Sequence, residues 1–259
     1  MVYRRLVGVV FVSFPLIQGF GISTSLKQFT QTTTRIYFVP AEQDDDTGIP
    51  KVGRIERLAV RSYHPDHSRP SSRKYTTRKN AVNTCRVTVN GLQGDYNHYR
   101  TVALQQTPDR AVSLWTADVA VWLQGDNDSN DRKGYPVKPG DLGENVHISG
   151  LSFDDFEVGQ KWQLGSQKVN NYNDDGDDDA VVVVEITEPV VPCANLCKLP
   201  YINDEAITPK ERIARCQDFL QQLDQAPGLR GWYAKVIVEG VLTVHDSVQL
   251  LPADTQNQL

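Results

Sequence analysis

The chain predicts a mostly β fold, a barrel-like domain with a few peripheral helices, and three observations carry that prediction. Short stretches of alternating or β-branched residues recur along most of its 259 residues, separated by turn signals. Only two stretches carry helix-start chemistry. Strands do not alternate regularly with helices, and there is no Gly-rich nucleotide loop, nucleophile elbow or internal repeat.

The elements follow in order. Residues 53–60 alternate as a first strand, and residues 85–89 form another, followed by the turn signals Asn90-Gly91 and Gly94-Asp95. Residues 110–114 make a short strand, after which Thr116 caps a helix running to Leu123 that Gly125 stops. Residues 158–165 alternate, and Val181 to Thr187 is a β-branched strand. Thr208, Pro209 and Glu211 form a helix start with a capping box. Ile213, Cys216, Phe219, Leu220 and Leu223 then share one face, which makes Cys216 a core residue. Residues 232–238 and 241–244 read as a closing hairpin, and Asp246, Val248 and Leu250 lead into a last strand.

The two ends read differently. Residues 1–41 begin with Arg4 and Arg5, continue through an apolar run from Leu6 to Phe20 broken by Pro15, and contain no acidic residue. That pattern suits a cleavable presequence for a plastid or mitochondrion, a transit peptide; the alternative is a membrane anchor formed by residues 6–20. Residues 42–52 read as a linker, residues 53–252 as the folded domain and residues 253–259 as a polar tail.

Composition narrows the function. A net charge of -5 argues against a nucleic-acid binder, which needs clustered Lys and Arg. Four cysteines, Cys85, Cys193, Cys197 and Cys216, are too few for a disulfide scaffold in so long a chain. No second Cys or His pair stands at zinc-ligand spacing. His64 and His67 read as solvated loop residues, and Asp126 to Asp131 lacks the glycine and glutamate of an EF-hand. Cys193 stands out because a buried strand delivers it, behind Pro189 and Pro192, onto a stiff loop. Such a thiol serves as a metal ligand, as a sulfur nucleophile or as an inert small hydrophobe.

Five segments in order resemble the MOSC domain, the C-terminal domain of molybdenum cofactor sulfurases. They are Gly91-Leu92-Gln93-Gly94-Asp95 with His98, Arg110-Ala111-Val112-Ser113-Leu114, Gly140-Asp141-Leu142-Gly143-Glu144-Asn145, Pro192-Cys193, and Gly231-Trp232-Tyr233-Ala234-Lys235-Val236 with the chain to Asp246. The resemblance spans roughly residues 53–251 and implies a stand-alone MOSC protein with a MOSC-type β-barrel. Two departures are His245, where a Gly is usual, and the loops 62–79 and 171–179, which have no counterpart. Neither the N-terminal barrel of the amidoxime-reducing enzymes nor a pyridoxal-phosphate desulfurase domain is recognised.

The resemblance implies the molybdenum cofactor, a pterin dithiolene holding molybdenum, with Cys193 as metal ligand and catalytic residue. A thiolate suits molybdenum in a sulfur-rich shell. Arg110 is the first candidate for the cofactor's phosphate, with Arg61, Arg69, Arg73, Lys74 and Arg100 as further cations. Asn145 either donates to the cofactor or, with Gly143, shapes a tight turn. Asp95 orients its own turn or pairs with an arginine, and His98 is a candidate proton donor. Two functions follow. One is an oxidoreductase that reduces N-hydroxylated small molecules such as hydroxylamines and amidoximes, with a separate redox protein as electron donor. The other is a sulfurtransferase in which Cys193 takes a persulfide from a cysteine desulfurase.

Overall fold

The structure is a computed structural model that describes residues 51–61, 78–97, 100, 104–125, 134–165 and 181–256. The presequence, most of the loop 62–79, His98, the 126–131 loop and the acidic loop 171–179 lie outside the described residues.

Eleven strands are described: β1 (Val52–Val60), β2 (Asn80–Val82), β3 (Thr84–Thr88), β4 (Gly91–Leu92), β5 (Val112–Thr116), β6 (Val146–Ser149), β7 (Lys161–Leu164), β8 (Val182–Pro189), β9 (Trp232–Val238), β10 (Gly240–Thr243) and β11 (Ser247–Leu250). Seven of them close a barrel in the order β1-β11-β7-β8-β9-β5-β6, with β6 returning to β1. Closure removes the unpaired edges that an open sheet would leave. The β5–β6 pair is parallel and the other pairs of the ring are antiparallel. β2 extends the ring beside β1, and β10, β3 and β4 form a separate three-stranded sheet.

Period-two alternation fills the barrel. Val112 and Leu114, Val146 and Ile148, Val184 and Ile186, and Trp232 and Ala234 are buried in one apolar cluster. The alternate positions, Ser113 and Tyr233 among them, face outward. Bulges in β1 and β8 shift that register locally.

A second apolar cluster lies outside the barrel. Trp115, on the outer face of β5, packs with Val119 and Leu123 of α1 (Ala117–Gln124), with Phe219 and Leu223 of α2 (Pro209–Leu223), and with Leu196. Both helices start where the sequence places them. Thr116 and Gly125 flank α1, and the Thr208–Glu211 capping box is formed on α2. The last described element is α3 (Ala253–Gln256), within the stretch that the sequence marks as a polar tail.

Three expectations are corrected. Residues 232–244 do not form a hairpin: β9 pairs with β5 and β8, and β10 crosses to pair with β3. The Glu239-Gly240 corner therefore joins two sheets. Ile213 shares the helix face only by periodicity and is 60% exposed, because the second cluster reaches α2 at Phe219 and Leu223. Cys216 is paired with Cys197 in a disulfide across 5.0 Å between Cα atoms, so it is a cross-link and not merely a packed core thiol. At the departure His245, the backbone keeps a left-handed φ of 81°. There the His245 N–H donates to Ile55 O at 2.7 Å, and Arg54 Nε donates to its Nδ1 at 3.1 Å.

Candidate functional site

Cys193 sits just past the end of β8. The Val190 N–H donates to Gly231 O at 2.8 Å, which holds the exit of β8 against the start of β9. Cys193 then heads a 3-10 turn, Ala194–Lys198, and its carbonyl accepts from the Leu196 N–H at 3.0 Å. Leu196 is fully buried, and Cys197 is tied to α2 by the disulfide. The loop is thus anchored twice within four residues, while Cys193 itself is exposed and free. Cys85, the other free cysteine, is buried.

The outer face next to it is set by strand register. Tyr233 is the cross-strand partner of Ser113 on β5 and of Glu188 on β8. Arg110 ends the 3-10 turn Pro108–Arg110, which Thr187 Oγ1 fastens to β8 by donating to Asp109 O at 2.6 Å. From there its guanidinium grips Glu188 with two hydrogen bonds, one of them from Nη2 at 3.0 Å, and lies 5.2 Å from the centre of the Tyr233 ring. Burial pushes the Tyr233 phenol above its ordinary value; Arg230 and Arg110 oppose that push, and Cys193 and Glu188 add to it. Cys193, Tyr233, Arg110, Glu188 and Arg230 therefore form one electrostatic neighbourhood.

Asn145 lies on the other side of Ser113 and is 3% exposed. Its Oδ1 accepts from the Ser113 N–H at 3.2 Å and from Ser113 Oγ at 2.9 Å. Its Nδ2 donates to Ala59 O at 3.1 Å and to Asp95 Oδ2 at 2.9 Å. Both ends of the amide are engaged by the protein, and they tie β5, β1 and the Asp95 turn together. Asp95 also accepts from the Arg61 N–H and from Lys79 Nζ, each at 2.7 Å. Lys79 is buried, and desolvation lowers its pKa against the pull of Asp95.

The loop before β6 is shaped by glycine. Gly140 and Gly143 adopt φ of 95° and 79°, and a Cβ on Gly140 would stand 2.8 Å from the Arg57 guanidinium. That fold brings the Gly140 N–H onto the Glu144 carboxylate. Glu144 is buried, lies 3.5 Å from Arg57 Nη1, and is held above its ordinary pKa by desolvation. Arg57 Nη2 donates to Lys79 O at 2.7 Å. Arg230, 9% exposed, donates through Nη2 to Leu142 O, and its Nε has no hydrogen-bond partner.

Of the residues that the sequence singles out, Cys193 and Arg110 fall in one neighbourhood and Asn145 and Asp95 in a bonded cluster beside it, with Gly143 in the adjoining loop. Arg100 donates through Nη1 to Asn90 O and through Nε to Thr107 O, while its buried Nη2 has no hydrogen-bond partner. Arg69, Arg73, Lys74 and His98 lie outside the described residues. Sequence reasoning missed Arg57, Lys79, Tyr233 and Arg230. Tyr233 stood inside a quoted motif, whereas Arg57, Lys79 and Arg230 carry no local signal.

Among the described residues, no group of three or more His, Cys, Asp or Glu is placed to hold a metal ion. The protein ligand this face offers is the single Cys193 thiol. An exposed, backbone-pinned thiol near a buried arginine with a spare donor fits an anionic, sulfur-rich metal group better than a bare cation.

The fold and site define a class: a closed β-barrel with one exposed, free cysteine on a loop at a strand end. The chain belongs to the MOSC domain family, whose profile matches residues 101–249, and that family is associated with the molybdenum cofactor. Solved structures are distant likenesses. YuaD from Bacillus subtilis is 13% identical over 77% of this chain and 95% of its own, with a TM-score of 0.49. YiiM from Geobacillus stearothermophilus is 19% identical over 77% and 75%, with a TM-score of 0.48. YiiM from Escherichia coli is 18% identical over 77% and 70%, with a TM-score of 0.45. No curated protein matches the chain.

Proposed function

We propose that this protein is a molybdenum-cofactor-dependent oxidoreductase that reduces N-hydroxylated small molecules, with electrons from a separate redox protein. The observation that carries the reading is Cys193: an exposed, free thiol on a doubly anchored loop, whose charge reaches Tyr233. When bound, the cofactor would supply the two-electron chemistry of oxygen-atom removal. Cys193 would hold the metal as a thiolate. Arg230, which acts on Tyr233 and has an unpartnered Nε, is the candidate cation for the cofactor's anionic end. Arg110 is already matched by Glu188, so its role is to hold Tyr233 and the β8 exit in place. Asn145 and the Gly140–Gly143 loop keep the strands beneath the site in register. The N-terminal segment would deliver the protein to a plastid or mitochondrion.

The net reaction consumes two electrons and two protons and turns R–NHOH into R–NH2 and water. Protein purified from a cofactor-producing host should reduce benzamidoxime to benzamidine with reduced methyl viologen as donor, and Cys193→Ala should not. Cofactor-loaded wild type without turnover on amidoximes or hydroxylamines would sink the reading. The pairing of Cys197 with Cys216 favours one second reading, a sulfur carrier, because no neighbouring free thiol is left to displace a persulfide from Cys193. Mass spectrometry after incubation with a cysteine desulfurase and cysteine would then find one added sulfur on Cys193.

A further inference from the structure

We propose that Tyr233 is the proton donor of this site, a catalytic residue whose hydroxyl protonates the substrate oxygen as the N–O bond breaks. The inference rests on the oxidoreductase reading above and adds a residue to it. Three observations lead there.

The ring is fixed. Its strand pairs with β5 at Ser113 and with β8 at Glu188, and the Arg110 guanidinium lies over its face. Tyr233 is partly buried, and no hydrogen bond among the described residues involves its hydroxyl, which leaves the O–H free to donate. The group is also within electrostatic range of Cys193 and of Arg110 and Arg230, which act on it with opposite sign.

The chemistry matches that placement. Burial, Cys193 and Glu188 keep the phenol protonated through neutral pH, so the proton is present when needed. The two guanidiniums stabilise the phenolate left behind. Cleavage of N–O takes two electrons from the redox donor. One proton comes from Tyr233 and one from solvent, water leaves, and solvent reprotonates the phenolate. Two other buried titratable groups face other partners: Glu144 lies 3.5 Å from Arg57, and the His147 ring packs at a tilt against Trp115 with ring centres 5.1 Å apart.

The test uses Tyr233→Phe, which keeps the ring and its stacking, made in a cofactor-producing host beside wild type. Molybdenum and pterin content per chain should equal wild type, KM should be unchanged, and kcat should fall about 100-fold. Replacing Tyr233 with fluorotyrosines of increasing acidity should move the basic limb of kcat downward in step with the phenol. In cofactor-free protein carrying 13Cζ-tyrosine, alkylating Cys193 with iodoacetamide should shift the Tyr233 resonance. A loaded Tyr233→Phe enzyme with wild-type kcat overturns the proposal and leaves the cofactor reading intact. Loss of molybdenum in that variant alone makes Tyr233 a structural residue and also overturns it. Wild type devoid of molybdenum removes both readings together.

Discussion

Two ends of one outer-face band contrast sharply. At one end, the buried Asn145 and Lys79 both bond to Asp95, and the cluster is also bonded to Ser113 and to the backbone of Ala59 and Arg61. At the other, Cys193 is exposed, and among the described residues the Tyr233 hydroxyl makes no hydrogen bond and the Arg230 Nε has no partner. Polar groups that satisfy each other stabilise a fold and have nothing left for a ligand. Groups held in place but left unsatisfied are what a binding site requires. The difference assigns the first end to architecture and the second to chemistry, although the family motifs run through both.

The largest effect should come from breaking the architectural end. Asn145→Ala removes four hydrogen bonds, leaves Ala59 O without its side-chain donor and takes one partner each from the Ser113 hydroxyl and Asp95. We expect about 3–5 kcal/mol lower stability in urea unfolding, with much of the chain failing to accumulate at 37 °C. A loss below about 1 kcal/mol would show that the cluster is not a lock.

The disulfide sharpens the other end. Cys197 and Cys216 close a loop with a sequence separation of 19 residues, so Cys216→Ser should cost about 3 kcal/mol of stability. Leu196 remains buried in the second cluster, so Cys193 should keep its place, and the variant should be less stable yet still bind molybdenum. Equal denaturation midpoints for wild type and variant, with and without a reductant, would contradict the cross-link.

A smaller, pH-dependent effect separates the two ends further. Burial, aided by the neighbouring charge of Arg57, holds His147 down to about 4. Between pH 6.5 and about 4 the unfolded chain binds the proton that the folded protein refuses, so stability falls on acidification. The window is worth about 2–3 kcal/mol. His147→Phe keeps a ring against Trp115 and removes a buried Nδ1 that has no partner. Its stability should vary less across that range, measured by urea unfolding at matched pH values.

The sequence made some of this legible and hid the rest for physical reasons. Barrel strands announce themselves by period-two alternation, and the helix starts by capping chemistry, because both are local. The crossing of β10 to β3 was invisible, since a Glu-Gly corner serves a hairpin and a sheet-to-sheet crossing equally well. The motif residues Cys193, Arg110 and Asn145 could be found, but their bonding could not. Asn145 is engaged on both sides of its amide by groups as distant in the chain as Ala59. Arg230 and Lys79 arrive from unmarked stretches, and only the closed barrel brings their charges near the motifs. Likewise, no spacing rule links Cys197 to Cys216; the packing of α2 against the turn after Cys193 does.

The most direct test of the central claim is molybdenum per chain, measured by inductively coupled plasma mass spectrometry on protein from a cofactor-producing host. Wild type, Cys193→Ala and Cys85→Ala would be compared. The account predicts stoichiometric molybdenum in wild type and Cys85→Ala and its loss in Cys193→Ala, with all three folded. Wild type without molybdenum, or Cys193→Ala retaining the wild-type amount, would contradict it.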